Sequence, residues 1–245
     1  MSAFRRPAWW SVLLTVAGAL LFVRLGVWQL HRAAEKEALL RRYATAATAP
    51  LQDFDSVAQS PPATAYPRVQ VHGRYLAGRV YLLDNPRHDA LGGVEVYAPV
   101  ELDGHAHLLL ADLGFLRGNG TDATPQVPPL PTGEVDLQGL YVPPPGGALE
   151  MGGDALARQQ AYPKKTIYLD LGQVSRDLGR PLYPRLLALD PDPAAIYERK
   201  RTPDFSSMPP SRHRAYAFQW FTFALAAVVI FLVLHRKRRP RPRSS

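Results

Sequence analysis

Two kinds of apolar pattern divide the chain. Near its ends the apolar positions are continuous. Ala8 to Leu30 reads AWWSVLLTVAGALLFVRLGVWQL, and Ala215 to Leu234 reads AYAFQWFTFALAAVVIFLVL. Neither run has a polar face. The first carries one charge, Arg24, and the second only Gln219 and Thr222 as clearly polar groups. A helix rises about 1.5 Å per residue, so each run predicts a helix of roughly 30 Å, the thickness of a bilayer's hydrocarbon core. After the first run, Gln29 to Arg42 (QLHRAAEKEALLRR) consists mostly of strong helix formers. The helix is expected to continue for two or three turns, until the Ala/Thr stretch before Pro50. Residues 51–66 show no period and read as a linker.

From Arg68 the period falls to two. Arg68 to Gly73 alternates polar and apolar, and Val80 to Leu83 stops at the turn signal Asp84-Asn85-Pro86. Gly93 to Leu102 runs into the hairpin signal Asp103-Gly104, and His107 to Leu116, Val135 to Val142 and Pro184 to Leu189 add further strands. Leu169 to Leu178 suits a short helix, while the Gly/Pro-rich stretches 118–133 and 143–153 suit loops. Val69 to Tyr75 and Val135 to Tyr141 share V-x-[VL]-x-G-x-Y, as equivalent barrel strands or by chance. The fold class expected is membrane α plus β. Two transmembrane helices, 8–30 and 215–234, flank one antiparallel β-rich domain, a sheet or partial barrel, over 31–214. Segments 1–7 and 235–245 form the ends.

Charge adds orientation. The formal net charge is +8, but its excess lies outside the domain. Arg5 and Arg6 precede the first run, and Arg236, Lys237, Arg238, Arg239, Arg241 and Arg243 follow the second, with no acid among them. The segment 31–214 is nearly balanced, so the excess marks topology and not a nucleic-acid surface. Basic flanks stay inside. Both termini are therefore expected in the cytoplasm and the domain in the periplasm, or the equivalent intermembrane space, of a cell inner membrane. Trp9, Trp10, Trp28 and Trp220 are all the tryptophans, and each lies near the end of a run, where amphipathic rings settle in lipid. The small-residue stretch Ala44 to Ala49 resembles a signal-peptide cleavage site, but it is too far past a run too long for one, so the first run is expected to stay. The chain has no cysteine, which removes disulfides, thiolate metal sites, iron–sulfur clusters and covalent haem attachment.

No nucleophile elbow, zinc-helix or phosphate-loop motif occurs, and no enzyme is expected. His105 and His107 would share one strand face, as solvated residues of a hairpin arm or as a metal pair without a third ligand. Asp84, Asp89 and Asp112 suit turns better than a carboxylate pair. The richest constellation lies where two antiparallel spans meet at one membrane boundary. Arg24, Trp28, Gln29 and Arg32 come from the first, and His213, Tyr216, Gln219 and Trp220 from the second. His213, Tyr216 and Trp220 fall at i, i+3 and i+7, on one helix face. Such residues commonly anchor a helix at the interface. Less commonly, an imidazole at this depth ligates haem iron and an arginine pairs with propionates.

These residues carry a resemblance. Leu25-Gly26-Val27-Trp28-Gln29-Leu30-His31-Arg32 with Lys36, Val71-His72-Gly73-Arg74-Tyr75, Leu82-Leu83-Asp84-Asn85-Pro86, Gly92 to Val96 with Pro99, and His213 to Phe221 resemble, in order, the blocks of the Surfeit locus protein 1 (Shy) family. The chain departs from the family pattern at Asp112 to Phe115, where many members have R-G-W, and at Ser211-Arg212, where paired asparagines are usual. The resemblance implies an assembly factor for haem–copper terminal oxidases, chiefly cytochrome c oxidase, with subunit I and the haem a synthesis machinery as partners. It also implies haem a as a transient cofactor, with His213 as ligand to its iron. Arg24 or Arg32 would meet the propionates, and Trp28, Tyr216 and Trp220 would pack on the ring. The alternative is a cofactor-free scaffold that stabilises an oxidase subunit, with a membrane-anchored periplasmic enzyme third.

Overall fold

The computed structural model describes residues 7–88, 91–118, 124–145, 153–199 and 208–236. The basic residues Arg5, Arg6, Lys237, Arg238, Arg239, Arg241 and Arg243, and also Asp89, lie outside them, as do parts of both expected Gly/Pro loops. The chain forms two compact units, one from the residues up to Leu39 with those from Ser207 onward, the other from Leu40 to Ser206.

Helix α1 (Trp9–Ala47) contains the first apolar run and the helical extension predicted after it. Its last turn tightens through Thr48 N–H to Thr45 C=O (3.3 Å) and Ala49 N–H to Ala46 C=O (3.2 Å), and Pro50 ends it. From Leu40 the helix belongs to the second unit, where Ala46 is buried and Tyr43 packs on Tyr66 at 4.5 Å.

That unit holds β1 (Arg68–Tyr75), β2 (Tyr81–His88), β3 (Leu91–Leu102), β4 (Leu108–Arg117), β5 (Glu134–Val142), β6 (Lys164–Thr166), α2 (Leu171–Leu178) and β7 (Leu182–Leu189). The strand order is β1-β5-β7-β4-β3-β2-β6, and β1 also pairs with β3. Five strands, β1, β5, β7, β4 and β3, therefore close into a ring, and β2 and β6 extend it beyond β3. The sheet is mixed, which corrects the antiparallel expectation: β4–β7 and β2–β6 are parallel. A parallel neighbour needs a crossover in place of a hairpin. For β7 the chain from β4 through β5, β6 and α2 supplies it. Val69, Val71, Val96, Val100, Leu109, Tyr141 and Leu187 fill one cluster of the core.

The two V-x-[VL]-x-G-x-Y segments are partners. They lie side by side on β1 and β5, with Val69 opposite Gly139 and Gly73 opposite Val135. Each glycine admits a third strand. A Cβ on Gly73 would lie 2.3 Å from Glu101 O of β3, and one on Gly139 2.1 Å from Ala188 O of β7.

Two sequence expectations change, and one strand was not expected. The turn expected at Asp84-Asn85-Pro86 is strand: β2 continues to His88, with a register shift between Asn85 and His88 that accommodates a proline without an N–H. The segment 51–66, read as a linker, packs on the domain. Phe54 is buried edge-on to Tyr141 and Tyr183 (5.5 and 5.1 Å), and Tyr141 Oη donates to Ala58 O (2.7 Å). Arg185 clamps this strap, donating to Pro62 O (2.6 Å), Ala65 O (2.9 Å) and Tyr141 O (3.3 Å). Strand β6, too short and polar to foresee, is held by a buried network. Its Lys164 Nζ pairs with Asp177 of α2, whose carboxylate also accepts from Tyr81 (2.8 Å) and Tyr162 (2.6 Å). The α2 helix begins as its sequence suggests: Asp170 caps Gly172 N–H and Gln173 N–H, and Gly179 ends it at φ 65°.

Helix α3 (Pro210–His235) contains the second apolar run and starts with a proline in its first turn, where no amide donor is lost. Both α1 and α3 are long and apolar enough to cross a membrane.

Ring closure by the two glycines is testable. Gly73→Ala and Gly139→Ala are each expected to destabilise the domain by about 1–3 kcal/mol or more, through overpacking against a carbonyl. Gly92→Ala, with open space around its Cβ, is expected to stay within about 0.5 kcal/mol of the native chain in denaturant titrations.

Candidate functional site

The unit that contains α3 is built on a spacing of alternating fours and threes. On α1 the positions are Phe22, Gly26, Gln29, Ala33 and Lys36; on α3 they are His213, Ala217, Trp220 and Ala224. That spacing keeps one helix stripe facing a partner. Gly26, Gln29, Ala33, His213, Ala217 and Ala224 are buried, while most apolar side chains around them are exposed.

The contacts run antiparallel along the stripe. Phe22 stacks on Trp220 (5.8 Å) and meets Phe223 edge-on (5.9 Å). Gly26 lies under Phe221, whose ring would come within 2.6 Å of any Cβ at position 26. Gln29 Oε1 lies 2.6 Å from His213 Nδ1. Lys36 Nζ donates to Met208 O (2.5 Å), and Arg214 pairs with Glu37.

The Gln29–His213 pair is the chemically distinctive point. A carbonyl oxygen only accepts, so Nδ1 carries the proton, and a neutral imidazole then holds its lone pair on Nε2. Nε2 is buried and has no hydrogen-bond partner among the described residues. Buried polar atoms are nearly always partnered, and leaving one unmet costs about 1–3 kcal/mol. Arg32 and Lys36 lie within electrostatic reach of the ring.

Of the eight residues singled out from sequence, the structure joins Gln29 and His213 directly and places Trp220 in the same stripe. Tyr216 and Trp28 are 41% and 52% exposed, and Gln219, Arg24 and Arg32 are exposed as well. Arg32 donates to Glu35 Oε2 (2.6 Å). Tyr216 flanks the stripe because a step of three residues falls about 60° short of a full turn, and Ala217 takes the inward position instead. Phe22, Gly26, Ala33, Ala217 and Phe221 are not among those eight, although Gly26, Ala217 and Phe221 lie in the blocks that carry the resemblance. The four-three spacing marks Phe22, Gly26, Ala33 and Ala217.

The domain's candidates are engaged elsewhere. His105 is half-buried, with Nδ1 2.6 Å from Tyr183 Oη, and the His107 ring packs on Tyr183 at 5.2 Å. Asp84 faces Lys165 Nζ at 3.0 Å. His72 lies across the β1–β5 ladder from Asp136, with Nδ1 2.8 Å from Asp136 Oδ1 and Nε2 3.4 Å from Glu134 Oε2. Hydrogen bonds to Asp136 and Glu134 hold its imidazole above the usual histidine range. With exposed Asp103 these groups form a surface cluster that Arg74 approaches at 3.9 Å. Asp112 accepts from Gly114 N–H (3.0 Å); burial pushes its carboxyl up to about 7, against that bond and Arg199.

Comparison with known proteins adds one finding. The model of a family described as the SURF1 family matches residues 16–225. No curated protein matches the chain.

Two outcomes are expected. Gly26→Leu should part the helices, read as a longer distance between spin labels on Val27→Cys and Phe218→Cys in this cysteine-free chain; Gly18→Leu, with open space around it, should not. For Asp112 the sign follows from its raised pKa. Between about pH 4 and 7 the folded chain holds a proton that the unfolded chain has lost, so stability falls as pH rises across that window and levels above it. Denaturation of Asp112→Asn against pH should lack that slope.

Proposed function

Because the chain belongs to the SURF1 family, a family of cytochrome oxidase assembly factors and not of enzymes, we propose that it holds haem a at the outer membrane boundary for transfer to oxidase subunit I. Its basic flanks support a topology with both termini in the cytoplasm, the domain in the periplasm and the helices in inner-membrane lipid. The proposal carries the haem a synthesis machinery as supplier and subunit I as receiver.

One observation supports the haem reading above all: the buried, unpartnered Nε2 of His213, on a ring whose other nitrogen is already committed to Gln29. A neutral imidazole with a free lone pair suits a ligand to haem iron. Haem a, when bound, supplies an iron that accepts that lone pair. Arg32 or Arg24 would meet the propionates. Trp28 and Tyr216, adjoining Gln29 and His213 and open on their outer faces, would pack with Trp220 against the macrocycle.

A second reading has its own support. The seam from Phe22 to Lys36 is continuous, and the exposed apolar sides of both helices suit a subunit helix. The protein would then be a scaffold.

Co-expression with a haem a pathway, followed by spectroscopy of the purified full chain, separates the two. Under the haem reading the native chain carries haem a, and His213→Ala loses it at least about 10-fold. An unchanged haem content and spectrum in His213→Ala overturns the ligand assignment. Co-purification of subunit I with a haem-free native chain favours the scaffold.

A further inference from the structure

We infer that Gln29 is a positioning residue for this site: its side-chain carbonyl fixes the tautomer and plane of His213, so that Nε2 and not Nδ1 is presented to the metal. The inference deepens the haem a reading and rests on it.

The two residues come from different helices, 184 positions apart, and meet at 2.6 Å between the aromatic packing of Phe22 and Trp220 and the Lys36–Met208 bond. Either nitrogen of a neutral imidazole can carry the proton, and the neighbour decides which. An acceptor opposite Nδ1 leaves the lone pair on Nε2. A donor opposite Nδ1 would put the proton on Nε2 and close it to a metal. The stripe is buried here, Gln29 at 8% and His213 at 5% exposure, so water is a poor substitute for the partner. Histidine ligands to metals regularly donate their second N–H to a carbonyl or carboxylate, which orients the ring and raises its basicity. Gln29 provides that bond without adding a negative charge to the seam, where an anion would be costly.

Five variants of the full chain test this, loaded with haem a in detergent. Gln29→Met removes the acceptor at similar length, and Gln29→Lys offers only a donor. Both are expected to weaken haem a binding roughly 10–100-fold while the spin-label distance between the helices stays native. Gln29→Glu, ionised beside Arg32 and Lys36, still accepts, so it is expected to retain haem a, with a lower midpoint potential because the charged acceptor makes His213 a stronger donor to the iron. In His213→Ala, adding Gln29→Met should change nothing further.

Native affinity and potential in Gln29→Met, or loss of haem a only together with a changed helix distance, would overturn the positioning role. Equal loss in Gln29→Glu and Gln29→Met would overturn it too. Native haem a binding by His213→Ala would instead remove the underlying haem reading.

Discussion

Two apolar helices gain little from each other by hydrophobicity when lipid is the alternative, so close packing and polar bonds must hold them. In this protein the Gln29–His213 hydrogen bond lies at the centre of the seam, and close packing and further polar ties hold the helices on either side of it. Gly26 lets Phe221 close over α1, and Phe22 with Trp220 fills the seam on one side of the bond. On the other side the polar ends are tied by Lys36 to Met208 O and by Glu37 to Arg214. The register of the helices is thus set by the shape complementarity and the polar ties that flank this pair. The same bond places the imidazole lone pair on Nε2.

The domain solves a different problem. A seven-stranded sheet has edges, and exposed edges invite unwanted pairing. Here the additional β1–β3 pairing removes the edge that β1 would present. Closure brings backbones together more tightly than a side chain permits, and the paired glycines of β1 and β5 supply the space. Because the two segments face each other about a local two-fold, one short pattern serves both contacts, Gly73 with β3 and Gly139 with β7.

Much of this was legible in the sequence, and the limits have physical reasons. Arg68 to Tyr75 alternates because one face is buried and the other solvated, and the strand is where that pattern places it. The two long helices follow from continuous apolarity, and α2 from its Asp170 cap and terminal Gly179. Pairing partners are non-local, so period alone could not reveal that β7 lies parallel to β4. Lys164-Lys165-Thr166 has no strand signature; its Lys164 is secured by Asp177, thirteen residues on. Phe54 lies in a stretch without period because a strap packs through single anchors. At the candidate site, residue types located Gln29 and His213, whereas their direct contact depended on which helix faces meet. Tyr216 looked equivalent to its neighbours until Ala217 proved to occupy the inward position.

The Arg185 clamp bears on how this sequence can diverge. All three of its acceptors are main-chain carbonyls, at Pro62, Ala65 and Tyr141. Main-chain oxygens persist whatever side chain they accompany. Residues 62 and 65 are therefore free to drift provided the path and length of the strap are kept, whereas the guanidinium has no substitute of equal reach and donor count. Among homologues, this predicts a variable strap beside an invariant arginine, with insertions or deletions rarer there than substitutions.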